Sequence, residues 1–502
     1  MELHIDRGSS VPLYRQISSE IRGLILSGRL ADGVRLPPER TLARALGVNR
    51  TTVLSAYRAL KDDGLVDGHV GRGTTVTAPP AAGRAPAALQ PLPWHQFLRD
   101  GSPKARDPLL RNLLELSERD DLISLSVGLP SAELLPIDTL RALQDELMAS
   151  SGAPALLHSP TEGVSELRET LCSLMAGRGI SSEPGEVMVT SGSQQGLDLV
   201  ARTFLAPGDA VVVEEPSFFG ALQVFRAAQA RLLGVPVDAE GMRTEVLEAL
   251  LTRQRVKLVY TLPTYQNPSG AVMSLARRRH LLELAYRFQV PILEDDPYFE
   301  LHYEGAPPPP LRALDAHGHV LYLSSFYKVL FPGLRVGWLA APAPALRQLV
   351  LVKQAMDLHS TTFGQLLLDR FVRRGHHARH LETVRAEYRR RRDAMDEALR
   401  AEAPEGVRWR RPAGGYYFWC RFPERVAQGQ LLAAAGQQRV SYLPGDACFP
   451  DEPGENWLRL NFTFPRADQI RDGVTRLMRA LAAALVRPLP EDHAAEGTRP
   501  IV

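Results

Sequence analysis

The stretch SSFYKVLFPGLRVGW, residues 324–338, sets one ammonium, Lys328, among apolar and small residues, with Arg335 seven positions later. Such a lysine most often packs its stem on apolar surface and sends its head to water. The alternative is chemical, because an amine held away from water is a nucleophile toward carbonyl groups. Further polar residues recur at matching places upstream: SGSQQG holds Ser193 and Gln194, PSFF holds Phe218, TYQNPSG holds Asn267, and DDPYF holds Asp295 and Tyr298. Each has an ordinary explanation. A glycine turn opens many helices, an aromatic side chain is usually core, and a turn asparagine usually serves the backbone. Adjacent carboxylates at the end of a buried strand are harder to dismiss, since they are costly to desolvate without a cationic partner.

The elements that must position these residues are short β-branched runs, EVMVT, AVVVEE, KLVYTLP, VPILEDD and HVLYLSS, separated by longer helical stretches. That alternation predicts an α/β unit with a mostly parallel sheet covered by helices. Ligands of such sheets lie beyond the carboxyl ends of the strands. The polar residues quoted above follow those runs directly.

Together they supply what pyridoxal 5′-phosphate (PLP) needs: an amine, a carboxylate for the ring nitrogen, an aromatic cover and a phosphate cradle. The ordered set SGSQQG, EEPSFFG, TYQNPSG, EDDPY and SFYKVLFPGLRVGW resembles fold-type I aminotransferases from residue 120 to about 485. The resemblance implies helices on both faces of the sheet and a smaller C-terminal α/β subdomain. It also implies that Lys328 forms a Schiff base with PLP and that Asp295 keeps the ring nitrogen protonated. Tyr298 and Asn267 would bond the ring hydroxyl oxygen, Phe218 would cover the ring, and Ser193, Gln194, Ser325 and Arg335 would grip the phosphate. Arg459, in WLRLNFTF, would face a substrate or effector carboxylate, alongside Asn267 and His158; without the resemblance it could be a surface arginine on a strand. Two positions depart from the family pattern: Tyr327 stands where a small hydroxyl residue is common. His158 stands where tyrosine is common, on a segment that in relatives approaches the neighbouring subunit's site.

The first segment has a different organisation. Leu13, Ile17, Ile21 and Leu24 share one helical face, Pro38 suits a first helical turn before Leu42 and Leu46, and Gly47 supplies a tight turn. Asn49 can cap the next helix, whose core face is Val53, Ala56, Tyr57 and Leu60, and LVDGHVGRGTTV closes as two strands around a glycine-rich tip. Residues 35–61 hold six cations against one carboxylate, a net +5 that can neutralise phosphates or form a solvated basic face. LPPERTLARALGVNRTTVLSAYRALKDDGLVDGHVGRGTTV resembles the winged helix-turn-helix of GntR-family bacterial regulators. Asn49, Arg50, Thr51 and Thr52 stand at the start of the second helix of the helix-turn-helix, where a recognition helix presents side chains to base edges, and the resemblance implies DNA contacts from Arg35, Arg40, Arg50 and Thr52, with Gly71 and Gly73 at the wing beside His69. His69 stands where that family usually carries arginine.

The expected domains are therefore a DNA-binding domain over 1–78, a Pro- and Ala-rich linker over 79–119, the aminotransferase-like domain over 120–487 and a tail over 488–502. This arrangement resembles MocR-type regulators. It implies a PLP-dependent transcription factor that senses an amino compound or PLP itself, binds a double-stranded operator, and forms a homodimer, head to tail in typical members. The alternative is a working aminotransferase with an accessory DNA-binding domain.

Composition limits other classes. A net charge of +2 over 502 residues gives no global attraction to nucleic acid or membrane, and no apolar run suits a membrane span. Three separated cysteines argue against a disulfide framework and predict buried thiols in a reducing bacterial cytoplasm, at the nucleoid when DNA is bound. In GHHARH, His376 and His380 have metal-ligand spacing, but no third ligand is identifiable. A solvated helix face is expected there and for YRRRRD, and no metal is predicted.

Overall fold

The computed structural model describes residues 3–9, 11–69, 73–77, 92, 97, 121–423, 426–451 and 456–486. Nearly all of the expected linker, the tail and Gly71 lie outside these. The chain divides into two compact units, Met1–Leu98 and Arg99–Val502.

In the first unit, α1 (Leu13–Leu26), α2 (Glu39–Leu46) and α3 (Arg50–Asp62) pack on one small core with a hairpin of β1 (Val66–His69) and β2 (Gly73–Val76). Val53, Ala56, Tyr57 and Leu60 are all buried. In α1 the fully buried apolar stripe is Ile17, Ile21 and Ile25, and Leu24 packs half-buried against the same core. Pro38 is the N-cap of α2 rather than a first-turn residue, and its carbonyl accepts from Thr41 and Leu42. Gly47, at φ 63°, ends that helix, and the Asn49 side chain accepts from the Thr51 amide at 3.1 Å.

The second unit opens with β3 (Ile123–Ser124). Its main sheet contains β4 (Val187–Thr190), β5 (Ala210–Glu215), β6 (Arg231–Asp238), β7 (Gly241–Met242), β8 (Leu258–Thr261), β9 (Ile292–Asp295), β10 (Val320–Ser325) and β11 (Gly337–Ala340), in the order β4-β11-β10-β9-β8-β5-β6-β7. The pairs among β6, β5, β8, β9 and β10 are parallel, while β11 runs against both its neighbours and β7 turns back on β6. The sheet is therefore mixed with a parallel centre. Its central strands are buried on both faces, which is why their sequences are continuous apolar runs. Two helices open directly after strands at the site: α4 (Ser193–Phe204) after β4 and α5 (Phe219–Ala227) after β5.

A smaller antiparallel sheet, β12 (Arg408–Trp409), β13 (Tyr417–Arg421), β16 (Trp457–Asn461) and β15 (Leu443–Pro444), follows the long helix α6 (His376–Glu402) and is followed by α7 (Ala467–Val486). A further parallel pair joins β3 to β14 (Val440–Ser441).

Helix α6 corrects the expectation of a solvated face in part: Arg389 and Arg390 are exposed and His376 is half-buried, but the histidine and arginines beside them are not solvated. His377 and His380 are buried, and His380 Nε2 lies 2.8 Å from the Val329 carbonyl. In YRRRRD, Arg391 and Arg392 are at most 1% exposed, donating to the carbonyls of Thr463, Pro465 and Pro412 and pairing with Glu387, Glu133 and Glu304. These arginines tie the end of the small sheet to the helix, and the hydrogen bonds satisfy charges that burial would otherwise penalise. Among the described residues no three His, Cys, Asp or Glu side chains gather to hold a metal ion, and no helix is long and apolar enough to cross a membrane. Cys420 and Cys448 are buried, whereas Cys172 is half-buried.

Candidate functional site

A cavity of about 330 Å³ opens where the carboxyl ends of the central strands meet the small sheet. Ser193, Gln194, Phe218, Asn267, Asp295, Tyr298, Ser325, Lys328, Arg335 and Arg459 all line it. His158 does not: it is exposed, its ring 4.6 Å from that of His359.

The run Glu294-Asp295-Asp296 shows how the strand end sorts its carboxylates. Glu294 accepts from the Leu311 and Arg312 amides, and Asp296 Oδ2 from the Tyr322 hydroxyl at 2.8 Å, beside Arg178; Asp296 Oδ1 has no hydrogen-bond partner among the described residues, but Asp296 does not line the cavity. Asp295 points into the cavity. Its Oδ2 accepts from the Tyr260 hydroxyl at 2.9 Å, while Oδ1 is buried with no partner among the described residues. Burial, the largest influence, and the neighbouring Asp296 push its pKa up to about 7, against the Tyr260 hydrogen bond and Lys328. A buried carboxylate oxygen without a donor calls for a ligand N–H, which a protonated pyridine nitrogen supplies.

A second orphan lies at the other end. Ser193 Oγ, at the start of α4, is buried, likewise without a partner among the described residues. The N-cap of that helix is Gly192, at φ 87°, and a Cβ there would come 2.8 Å from the Arg335 guanidinium. Arg335 Nη2 donates to the Ser191 carbonyl at 2.9 Å. A helix N-terminus, two hydroxyls (Ser193 and Ser325) and a guanidinium thus converge, the donor set for a phosphate dianion. Phe218 stands beside Gly220, where a side chain would strike its ring at 2.5 Å.

Lys328 follows β10 and is half-buried, its Nζ donating to the Gly128 carbonyl at 2.6 Å. Withdrawal from water is the largest influence on its pKa and lowers it, which favours the nucleophilic free amine. Tyr327 lies along it, its ring 4.8 Å from Nζ and 5.7 Å from the Arg335 guanidinium. Arg459 is no surface arginine. It is 2% exposed, opposite Trp419 in the register of β13 and β16, and donates to Asn267 Oδ1 and the Ser126 carbonyl, both at 3.0 Å. These partners are neutral, and its Nε has none among the described residues, so the charge is available to an anion. Asn267 accordingly serves Arg459 rather than only its own turn.

Sequence reasoning missed Tyr260, Gly128 and Tyr417. A tyrosine inside the buried strand β8 needs a hydroxyl partner, and that signal could have pointed to Asp295. Nothing local marks Tyr417, which reaches the cavity only through the pairing of β13 with β16.

In the first unit Arg35, Arg40, Asn49, Arg50 and Thr51 are exposed and Thr52 is half-buried. Arg50 pairs with Glu39 at 3.0 Å, and Arg35 lies against Gly73 of the wing. Asn49 spends its carbonyl oxygen on the helix cap. His69 closes β1.

The fold and this site define a PLP domain of the aminotransferase type, joined to a winged helix-turn-helix. Two family models match accordingly: bacterial regulatory proteins of the gntR family over residues 13–76, and aminotransferase class I and II over 120–477. The probable rhizopine catabolism regulatory protein MocR of Rhizobium meliloti is 30% identical, over 99% of both chains. Aromatic-amino-acid aminotransferase 1 of Thermococcus litoralis is 41% identical over 73% of this chain and 90% of its own. Among solved structures, the alpha-aminoadipate aminotransferase of Thermus thermophilus, complexed with N-(5′-phosphopyridoxyl)-L-leucine, is 36% identical, with a TM-score of 0.74 over 79% of this chain and all of that one. The chain belongs to the aminotransferase class I and II family, in the MocR-type arrangement that carries a GntR-type DNA-binding domain in front. It is a DNA-binding regulator whose cofactor is pyridoxal phosphate.

Proposed function

We propose that PLP held at Lys328 makes the large unit a sensor for a carboxylate-bearing amino compound, and that occupancy of this site changes the grip of the DNA-binding unit on its operator. The observation that carries this reading is one cavity containing a desolvated amine, a carboxylate with an unpartnered oxygen, and a buried arginine with neutral partners.

When bound, PLP supplies an electron-withdrawing ring at which an amino group reacts. The chain's residues do the rest. Lys328 holds the cofactor covalently and moves a proton at Nζ. Asp295 holds the ring nitrogen in its protonated form. Tyr298 and Asn267 bond the ring hydroxyl oxygen, Phe218 covers the ring, and Ser193, Gln194, Ser325 and Arg335 grip the phosphate. Arg459 anchors the effector carboxylate and so orients its amino group. In the first unit Arg35, Arg40, Asn49, Arg50, Thr51 and Thr52 form the DNA-facing surface, and His69 and Gly71 are expected to add wing contacts to the DNA. The protein works as a homodimer, head to tail, with His158 approaching the neighbouring subunit's site.

For an effector to act, it must favour one DNA-binding geometry over another. Operator affinity of the PLP-loaded protein, measured at fixed salt against a panel of amino acids, is expected to change with one member of the panel and not to change in Lys328→Ala. An operator affinity indifferent to both amino compounds and PLP removes the sensing role. The intact constellation and the likeness to the Thermococcus enzyme favour a second reading, a working aminotransferase, for which repeated turnover with a donor and a keto acid is the sign.

Arg50→Ala is expected to weaken operator binding by about 1–3 kcal/mol if the guanidinium reads a base, once it leaves Glu39. Fluorescence anisotropy with the operator and a scrambled duplex checks this. Equal losses on both duplexes would make Arg50 a phosphate contact, and no loss would take it out of the interface.

A further inference from the structure

Tyr417 enters the cavity from the first position of β13, and no step above uses it. It is buried. Its ring lies over Arg459, 3.9 Å from centroid to Cζ. Its hydroxyl faces Lys328 and Tyr298, the Tyr298 ring lying 6.2 Å from its own between centroids. The hydroxyl oxygen also lies against Gly128, where a built Cβ would stand 2.0 Å from it and 3.3 Å from Lys328 Nζ. One side chain therefore spans two groups that are distant in sequence and opposed in role, the anion anchor and the amine.

We propose that Tyr417 is a positioning residue that couples Arg459 to Lys328: an effector carboxylate reaching Arg459 meets its ring, and its hydroxyl oxygen holds the proton on Nζ. This rests on the reading of the cavity given above. The titratable and charged groups facing the pair are Arg459, Asp295, Tyr298, Tyr327 and Tyr416. Burial pushes the Tyr417 phenol up, but Arg459 and Lys328 pull it down and prevail, which favours the phenolate, the form that accepts strongly from an ammonium. Arg459 acts on Lys328 in the opposite sense, disfavouring the ammonium. An anion on Arg459 relieves that repulsion, and Tyr417 lies between the two.

The test uses the full chain without cofactor and trace acetic anhydride. The unprotonated Nζ attacks the anhydride carbonyl, acetate leaves, and the amine proton passes to solvent, so labelling of Lys328 reports its protonation. Acetylation of Lys328 is followed by mass spectrometry between about pH 6 and 11. Tyr417→Phe, which keeps the ring over Arg459, is expected to lower the labelling midpoint by about one pH unit, because the ammonium loses an acceptor. Propionate, a carboxylate without an amine, is expected to raise the midpoint in the natural protein and to move it less than half as far in Tyr417→Phe. Gly128→Ala, which drives the hydroxyl away without altering the tyrosine, is expected to lower the midpoint in the same direction.

Equal midpoints in the natural protein and Tyr417→Phe, or equal displacements by propionate, overturn the proposal while leaving the site reading in place. A Lys328 that titrates like the surface lysines and ignores propionate in the natural protein overturns both.

Discussion

Lys328→Ala is expected to abolish the visible absorbance of the PLP-loaded protein and the mass adduct left on the chain after borohydride reduction. On the reading proposed above, the amine would be the covalent hold on the cofactor and the proton carrier beside it. Any exchange of amino groups at the site should fall at least about 10²–10⁴-fold, the contribution of a well-placed acid–base group. The fold should survive. Lys328 is half-buried, and its Nζ donates to the Gly128 carbonyl, so truncation removes a contact worth about 1 kcal/mol net, together with a desolvated ammonium whose burial was itself unfavourable. Thermal unfolding of the cofactor-free protein should therefore be unchanged or slightly raised. A reducible band that persists in Lys328→Ala would place the attachment on another amine.

Asp295→Asn should have the opposite character, stabilising the empty protein and disabling the loaded one. The folded-state pKa of Asp295, about 7, lies above the ordinary aspartate value near 4, so the folded chain holds this proton more tightly than the unfolded chain. The sign follows: its contribution is neutral below about pH 4, and stability is lost progressively as pH rises toward about 7, above which the deficit is constant. Three pKa units correspond to a ceiling of about 4 kcal/mol. The asparagine keeps the acceptor for Tyr260 and removes the charge. Cofactor-free Asp295→Asn should thus unfold at a higher denaturant concentration than the natural protein at about pH 8, and at the same concentration at about pH 4. On the proposed reading PLP should reverse the order, because a protonated ring nitrogen would pair with the aspartate and not with the amide. A gain that is the same at both pH values would mean the carboxylate is not what titrates. Equal protection of the two proteins by PLP would mean it does not face the ring.

Both experiments turn on residues that the chain advertises. Lys328, Asp295, Asn267 and the Ser193-Gln194 turn each follow a β-branched run, and a parallel sheet puts such positions at one edge whatever the details of packing. The same holds in the first unit, where Asn49, Gly47 and the stripe Val53, Ala56, Tyr57 and Leu60 act within one or two helical turns. Local signals failed where burial depends on what covers a surface. The arginine run of α6 has the composition of a solvated face, yet the small sheet and α7 close over Arg391 and Arg392 and supply carbonyls to receive them. His377 and His380 are taken up in the same way, against Glu300 and the Val329 carbonyl. Arg459 was open to two readings for this reason, since a strand arginine is exposed or buried according to the neighbours its strand acquires.

The sequence by itself determined the order of the site's parts and the two kinds of unit that carry them, because strand periodicity, helix caps and turn residues act over a few positions. Only the tertiary structure decided which of the three consecutive acids at 294–296 keeps a free oxygen in the cavity, and that Tyr417 stands between Arg459 and Lys328. Those outcomes depend on strand register and on which buried groups find hydrogen-bond partners. Both are set by segments far apart in the chain that meet only when the small sheet closes against the large one.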